Sequence, residues 1–281
     1  MKKQIILITG TSTGIGRKCA EYLFSRGHIV YGTVRKQQNN SKKAGYNELI
    51  LDVRDAESIK KGIDTLIQKE KKIDILINCA GIGIASAVEL TTIDEYKKIL
   101  DTNFLGNIRM IQAILPFMRL EHSGLIINIS SMLGLFTIPF QGAYCASKFA
   151  IEGLTECLSI ELKAFGIKTV LIEPGDVKSN FNKNRLTPII NHEKTDYAAN
   201  YENARKIFIK DEENGVDALF IAKKIEKIIH LKKPKLRYVV GNGFQKTGVT
   251  MHKYLPNRIF ENIFFGFYKQ SQVDSVKNID F

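Results

Sequence analysis

The sequence lacks any apolar run near the roughly 18 residues that a membrane-spanning helix requires. Its first apolar run, at residues 5–8, follows two lysines as in a signal peptide, but it is too short and ends in a Gly-rich turn. This run therefore predicts a first strand. We expect a cytoplasmic protein.

Cysteine is also scarce, and the four residues show neither metal-site nor disulfide spacing: Cys19, Cys79, Cys145 and Cys157. This spacing predicts buried free thiols in a reducing compartment. We expect no metal site.

The chain has too few acidic residues to balance its basic ones. It contains 41 Lys and Arg and 29 Asp and Glu, which gives a formal net charge of +12. A basic chain can bind nucleic acid, a membrane surface or a phosphorylated cofactor. The basic residues are spread widely, with short clusters at 69–72 and 232–237, and no stripe of aromatics interleaved with Arg is present. A solvated, Lys-rich surface is favoured over nucleic-acid binding.

Short apolar runs alternate with longer amphipathic stretches along the chain, which predicts one α/β domain with a parallel sheet between helices. The strand patterns cover residues 4–8, 28–33, 48–51, 73–77, 125–129, 167–172 and 237–240. The main helix patterns cover residues 17–27, 58–69, 92–115 and 144–165.

A glycine-rich turn follows the first predicted strand and opens the first predicted helix. In this context glycines permit a tight turn, a close approach of the backbone to a pyrophosphate, and close packing of helix on strand. The turn predicts a dinucleotide phosphate site formed by Gly10, Ser12, Thr13, Gly14, Ile15 and Gly16.

The end of the second strand lacks the usual acid that would bind an adenosine ribose, and Arg35 and Lys36 stand there instead. A guanidinium pairs with a 2′-phosphate, so NADP(H) is predicted rather than NAD(H), although Arg35 could be a plain surface residue. Asp52, beside Val53 at the end of the third strand, is predicted to accept a hydrogen bond from an adenine amino group.

Two further strand ends complete the predicted cofactor site. The fourth strand is followed by a polar residue and then small ones, which would let the backbone lie near a ribose. These residues are Asn78, Ala80 and Gly81. After the sixth strand, a turn is predicted to contact a nicotinamide ring through Pro174, Gly175, Val177 and Ser179.

The predicted chemistry centres on Tyr144 and Lys148, which are four residues apart and so share a helix face. An adjacent ammonium would lower the pKa of the phenol, which is ordinarily near ~10, and make it an acid or base. Ser131, at the end of the fifth strand, would hold a substrate oxygen. A Tyr and Lys at this spacing also occur by chance on many helices, and the glycine-rich turn is what favours the functional interpretation.

Three further segments carry predictions. Asn103, inside a long helix pattern, is either a buried amide bonded to backbone or a distortion that holds a water linked to Lys148. Residues 180–214, polar and irregular, predict a mobile cover over the substrate. Residues 255–268 have apolar side chains at 255, 259, 263 and 267, a face predicted to pack on its own domain or on a subunit, with a membrane surface as the less favoured alternative.

These motifs, in this order, resemble the short-chain dehydrogenase/reductase family over roughly the first 180 residues, and the 17-beta-hydroxysteroid dehydrogenase-like branch in particular. Cys79 departs from the usual Asn of that family, and Ser179 from the usual Thr. The resemblance implies a single Rossmann domain over residues 1–281, a doubly wound seven-stranded parallel sheet with a small C-terminal substrate cover. It also implies a catalytic set of Asn103, Ser131, Tyr144 and Lys148, of which Tyr144 and Lys148 also contact the cofactor, with Lys148 binding the nicotinamide ribose.

The implied function is NADP(H)-dependent interconversion of a carbonyl and a secondary alcohol on a hydrophobic small molecule, either steroid-like, retinoid, fatty or aromatic. The resemblance further implies a homodimer or homotetramer. A non-catalytic, NADP(H)-sensing regulator on the same fold is the alternative function, and a nucleic-acid-binding protein is a third. An intact catalytic set of residues favours the enzyme.

Overall fold

The computed structural model describes residues 3–37, 45–178 and 185–272. Within them the strands are β1 Ile5–Ile8, β2 Ile29–Val34, β3 Asn47–Ile50, β4 Ile75–Asn78, β5 Gly124–Ile129, β6 Ile167–Pro174, β7 Val177–Lys178, β8 Val216–Asp217 and β9 Arg237–Val240. Seven of these form one parallel sheet in the order β3-β2-β1-β4-β5-β6-β9. This order confirms the predicted doubly wound sheet, and β7 and β8 pair separately.

The α-helices in the described ranges are α1 Gly14–Ser25, α2 Ala56–Glu70, α3 Ile93–Leu100, α4 Gly106–Leu120, α5 Gly142–Glu161, α6 Ala198–Glu213, α7 Ala218–Ile229, α8 Gly243–Tyr254 and α9 Asn257–Phe267. Among them, none combines the length and apolar character required to span a bilayer. The same residues contain no cluster of three or more His, Cys, Asp or Glu that could hold a metal ion.

The sheet is buried on both faces because its strands are apolar at successive positions. In β1, Ile6 and Ile8 pack with helices α1 and α7, whereas Ile5 and Leu7 pack with α2 and α4 on the opposite face. Alternate residues of a strand point to opposite faces, so a continuous apolar run supplies both cores at once.

The order of the strands reverses at β1, since the chain winds first toward β3 and then, from β4, toward β9. In such sheets the loops at the carboxyl ends of the two central strands separate and leave a crevice. The predicted catalytic and cofactor residues lie at the carboxyl ends of β1 to β6 or in the segments that follow these strands. The fold therefore brings them to one edge of the sheet.

The long helix predicted over 92–115 is interrupted. Its first part, α3, begins with a capping box between Thr92 and Glu95. A π-helical turn, Asp101–Leu105, then separates α3 from α4. Such turns are rare, occur mostly inside α-helices and are frequent at functional sites.

The segment predicted as an irregular cover is largely helical where it is described, because α6 occupies most of its second half. The chain before α6 is bonded to the body of the domain. The Nε2 atom of His192 accepts a hydrogen bond from the backbone N–H of Ala87 at 3.0 Å, and its ring stacks on Tyr201 at 4.1 Å. The Tyr201 hydroxyl donates to the carbonyl of Ala85 at 3.1 Å.

The predicted C-terminal face is not the one that packs against this domain. On α9, Phe260 is buried and Phe264 is half-buried, and both contact Phe136. The predicted stripe is displaced toward solvent, with Ile259 48% and Ile263 41% exposed. Two apolar stripes lie side by side on this helix. The stripe that contains Phe260 and Phe264 is the one that packs against the ring of Phe136.

The four cysteines are free, as predicted. Cys19 and Cys145 are buried as predicted, whereas Cys79 is only half-buried and Cys157 is exposed. Its position on the outer surface of α5 explains the difference, because that helix is long enough to present several side chains to solvent.

Candidate active site

A cavity of about 710 Å³ opens at the carboxyl ends of the central strands. Most of the predicted site residues line it: Gly10, Ser12, Thr13, Gly14, Ile15, Gly16, Arg35, Asp52, Val53, Ala80, Gly81, Ser131, Tyr144, Lys148, Pro174, Gly175 and Val177. Asn78 and Asn103 are not among its lining residues. The predicted contact at Ser179 lies outside the described residues.

The glycine-rich turn has the backbone conformation that its sequence predicts. Gly10 and Gly14 have positive φ angles of 72° and 59°, which favour glycine. A Cβ on Gly10 would lie 2.8 Å from the Cα of Ala80, and a Cβ on Gly16 would overlap the carbonyl oxygen of Gly10. The turn thus brings the N-terminal end of α1 against the cavity.

At the rim beyond β2, Arg35 is exposed and lines the cavity. Asp52 also lines it, but both of its carboxylate oxygens are bonded to Arg54, at 3.0 and 2.7 Å. The Arg54 guanidinium lowers the pKa of Asp52. An adenine amino group would have to share Asp52 with Arg54, a second cavity-lining guanidinium that the sequence prediction missed.

Asn78 is not among the lining residues of the cavity, so its predicted contact with the cofactor stays a prediction. Its side-chain Nδ2 donates to Oδ1 of Asn128 at 2.9 Å, and the two residues are direct partners in the register of β4 and β5. The next residue, Cys79, lines the cavity instead. The backbone N–H groups of Cys79 and Ala80 donate to the Thr9 hydroxyl at 2.9 and 3.0 Å, which holds this exit beside the glycine-rich turn.

Tyr144 and Lys148 lie on the first turns of α5, as their spacing predicts. The Lys148 Nζ atom is 5.5 Å from the centroid of the Tyr144 ring and donates to the carbonyl of Ile129 at 2.9 Å. Lys148 is buried, and this burial lowers its pKa to about 8. A lysine with that pKa keeps most of its positive charge at neutral pH.

The pKa of Tyr144 is raised, contrary to the prediction that Lys148 lowers it. Burial of the phenol is the largest cause and outweighs the opposing hydrogen bond with Ser131. The Lys148 ammonium lies by the ring of Tyr144 and is bonded to Ile129. The phenol is therefore protonated at neutral pH in this structure.

Ser131 is held by its neighbours at the end of β5. Its Oγ accepts from the backbone N–H of Leu133 at 3.1 Å and lies 3.4 Å from the carbonyl oxygen of Pro174, to which it donates. These contacts fix the hydroxyl next to Tyr144, with which it also forms a hydrogen bond. Two hydroxyls thus converge on one point of the cavity wall, the arrangement required to bind a carbonyl oxygen.

Asn103 lies in the π-helical turn and is 1% exposed. Its Oδ1 accepts from the backbone N–H of Ile82 at 2.8 Å, and its Nδ2 donates to the carbonyl of Ile82 at 2.9 Å and to the hydroxyl of Ser147 at 3.0 Å. The helix is distorted here, as one of the two interpretations predicted. The side chain itself is bonded to backbone, as the other predicted, so Asn103 positions the site rather than facing it.

The far part of the cavity has an aromatic wall that the sequence prediction did not identify. Its rings come from the loop after β5, from α6, from α8, and from α9 and the residue that follows it: Phe136, Phe208, Phe244, Phe264, Phe267 and Tyr268. These residues are far apart in the sequence and have no common spacing. Only the packing of α6, α8 and α9 over the crevice brings them together.

Between Tyr144 and the aromatic wall lies a group of charged residues. Arg185 and Glu212 form a largely buried ion pair at 2.5 Å, and Asp176 and Asp211 line the same part of the cavity. Burial raises the pKa of Glu212 to about 7, and burial also raises the pKa values of Asp176 and Asp211. Three carboxyl groups and one guanidinium line this part of the cavity, an excess of acidic groups that suits a cation.

Comparison with known proteins gives matches over most of the chain. A model of the short chain dehydrogenase family matches residues 4–188. The 3-ketodihydrosphingosine reductase of Bacteroides thetaiotaomicron is 40% identical over 268 residues, covering 95% of this chain and 99% of that protein. Human 17-beta-hydroxysteroid dehydrogenase type 1 is 31% identical over 265 residues, covering 87% of this chain and 79% of that protein.

Two solved structures show the same architecture. A short-chain dehydrogenase from Streptomyces avermitilis superimposes with a TM-score of 0.82 at 28% identity, covering 96% of this chain and 98% of that one. The structure of ElxO with NADP bound has a TM-score of 0.69 at 25% identity, covering 85% of this chain and 96% of that one. The protein therefore belongs to the short-chain dehydrogenase/reductase family and is a nicotinamide-dependent oxidoreductase.

Proposed function

We propose that this protein uses NADPH to reduce the ketone of a long-chain aliphatic compound, with 3-ketodihydrosphingosine as the representative substrate. The observation that carries the proposal is one continuous cavity, which joins Ser131 and Tyr144 to the aromatic wall. A substrate with its ketone at the polar end of the cavity and its aliphatic chain along the apolar end would fit both parts of the cavity. The similarity to 3-ketodihydrosphingosine reductase supports this choice among the hydrophobic carbonyl compounds.

The cavity fits NADP(H) at its other end. The space beside Gly10 and Gly16, which a Cβ would fill, suits a pyrophosphate at the start of α1. Arg35 and Arg54, which both line the cavity rim, suit the 2′-phosphate. When bound, NADPH supplies the hydride to the carbonyl carbon.

The side chains of the polar end supply the proton. In ketone reduction the Ser131 and Tyr144 hydroxyls would hold the carbonyl oxygen, and the Tyr144 hydroxyl would transfer its proton to that oxygen. The raised pKa of Tyr144 suits this direction, because the phenol must be protonated before reduction begins. The buried charge of Lys148 lies by the same ring and would stabilise the phenolate left behind.

The charged part of the cavity supports an amino ketone in particular. 3-Ketodihydrosphingosine carries an amino group on the carbon next to its ketone. With the ketone at Tyr144, that ammonium would lie toward Glu212 and Arg185, whose charges both act on the Tyr144 hydroxyl. The surplus of carboxyl groups over guanidinium there would offset the cost of burying the ammonium.

The first experiment is a substrate comparison followed by NADPH absorbance. 3-Ketodihydrosphingosine, a long-chain ketone without an amino group, and the steroid estrone would be compared at equal concentrations. We expect kcat/KM in that decreasing order. A preference for estrone would instead support a hydroxysteroid dehydrogenase, and turnover of none of them would remove the proposed substrate class.

The second experiment tests the proton donor. Tyr144→Phe should lower kcat by about 10²–10⁴-fold while NADPH still binds. Tyr96→Phe is the matched control, because Tyr96 is half-buried but does not line the cavity. Near-normal turnover by Tyr144→Phe would eliminate this mechanism, and normal cofactor binding without turnover in the native protein would favour a sensor.

The third experiment tests the cofactor. Arg35→Asp should shift the ratio of efficiencies with NADPH and NADH by about tenfold or more, since a charge-assisted hydrogen bond contributes about 1.5–3 kcal/mol. Lys36→Asp introduces the same charge change at a neighbouring exposed residue that does not line the cavity. An equal shift in both variants would show that net charge, rather than a contact at Arg35, sets the preference.

A further inference from the structure

The mouth of the cavity carries a cluster of exposed apolar side chains, here called the mouth face, composed of Phe244 on α8 and Ile259, Ile263 and Phe267 on α9. Their exposed fractions are 68%, 48%, 41% and 39%. The rings of Phe244 and Phe267 lie 5.9 Å apart, so the two helices form one surface. Large apolar side chains clustered on a soluble surface mark a site of interaction.

The mouth face is continuous with the interior of the cavity. Phe244, Ile263 and Phe267 both line the cavity and remain exposed outside it. A partner that covers this face would therefore meet the opening through which an apolar substrate enters. In a monomeric protein, an apolar rim around such an opening has no role in packing the core.

The charges around the mouth face have one predominant sign. Residues 243–272 contain four cationic residues, Lys246, Lys253, Arg258 and Lys269, and one acidic residue, Glu261. All five are exposed, and Glu261 pairs with Arg258. Exposed aromatic and aliphatic side chains flanked by lysines are typical of helices that lie in the interface of an anionic bilayer.

We propose that the mouth face docks on the surface of an anionic lipid bilayer, so that the cavity opens toward the acyl chains. This inference rests on the proposed function in one respect, since docking would let the protein take up a lipid substrate directly from the bilayer. A second copy of the chain fits less well, because a two-fold contact would set like charges against each other and would close the mouth. The exposed stripe thus supports a membrane surface as the partner of residues 255–268, which was the less favoured alternative of the sequence analysis.

Vesicle flotation tests the proposal with the full chain and without any turnover. The native protein should float with phosphatidylcholine vesicles that contain phosphatidylglycerol, bind vesicles of phosphatidylcholine alone more weakly, and lose binding as salt increases. Phe244→Ser combined with Ile259→Ser should weaken binding about tenfold. Phe220→Ser is the matched control, since Phe220 is 55% exposed but lies on α7, away from the cavity.

A charge variant keeps the test valid if the apolar variant fails to fold. Lys246→Glu combined with Lys253→Glu leaves the mouth face intact and should abolish the preference for anionic vesicles. Failure of the native protein to bind either vesicle, or equal loss in Phe220→Ser, would overturn the proposal. So would sedimentation showing a dimer that Phe244→Ser with Ile259→Ser converts to a monomer. Because binding is measured without substrate, a failure of the proposed ketone reduction would be seen separately.

Discussion

Replacing Glu173 with Gln should make the folding stability of this protein less sensitive to pH. Glu173 is 0% exposed and lies 3.2 Å from Arg237, which also pairs with Glu152 and Glu156. Burial, followed by the nearby charge of Glu152, raises the pKa of Glu173 to about 8 from an ordinary value of 4.5. The folded protein therefore favours the protonated carboxyl.

The sign and size of the effect follow from the two pKa values. The stabilising contribution is fully present below the unfolded-state pKa of 4.5 and is lost as pH rises through the folded-state pKa of about 8. From about pH 6 to about pH 8, at about 1.4 kcal/mol per pH unit, the loss approaches about 2 kcal/mol. For a chain of 281 residues this corresponds to about 4 °C in Tm.

The assay is thermal unfolding of the native protein and Glu173→Gln at about pH 6 and about pH 8. Because both proteins share the other titrating groups, the change in their Tm difference reports Glu173 together with its interaction with Glu152. It should shift by about 4 °C in favour of the variant at the higher pH. Glu156→Gln, which removes a 54% exposed carboxylate from the same arginine, should show no such shift. A Tm difference that is the same at both pH values would refute the reasoning.

Three further outcomes are expected. The affinity for NADP(H), measured by cofactor fluorescence, should decrease as pH rises through about 8, where Lys148 loses its charge, and a constant Kd across this range would contradict that assignment. Gly16→Ala should abolish NADP(H) binding without unfolding the chain, because its Cβ would overlap the Gly10 carbonyl; unchanged affinity would show that the turn can relax. Asn103→Ala should lower the unfolding free energy by about 1–3 kcal/mol, since it leaves the backbone N–H of Ile82 without its partner, and an unchanged Tm would mean that water replaces the amide.

The sheet and the glycine-rich turn could be predicted from the sequence because both depend on local patterns. Each parallel strand is an apolar run of a few residues, and the turn needs glycine at Gly10 and Gly14, where φ is positive. Tyr144 and Lys148 were likewise predictable, since a spacing of four residues fixes a common helix face.

The remainder of the site depends on contacts between distant segments. Helix α6 buries only Ala204 and Phe208, so its sequence carries a weak amphipathic pattern. On α9 the sequence offers two adjacent apolar stripes, and nothing local distinguishes Phe260 from Ile259. The raised pKa of Tyr144 could not be predicted from the sequence either, because the burial of its hydroxyl depends on the assembled cavity.

The imidazole of His192 limits how the cavity can adapt to ligands of different size. Since His192 is tied to Ala87 and stacked on Tyr201, the chain entering α6 is anchored to the loop after β4. Extra room for a bulkier ligand must then come from α8 and α9, which meet the cavity through Phe244 and Phe267. Altered substrate range in this protein should accordingly arise from substitutions in α8 and α9.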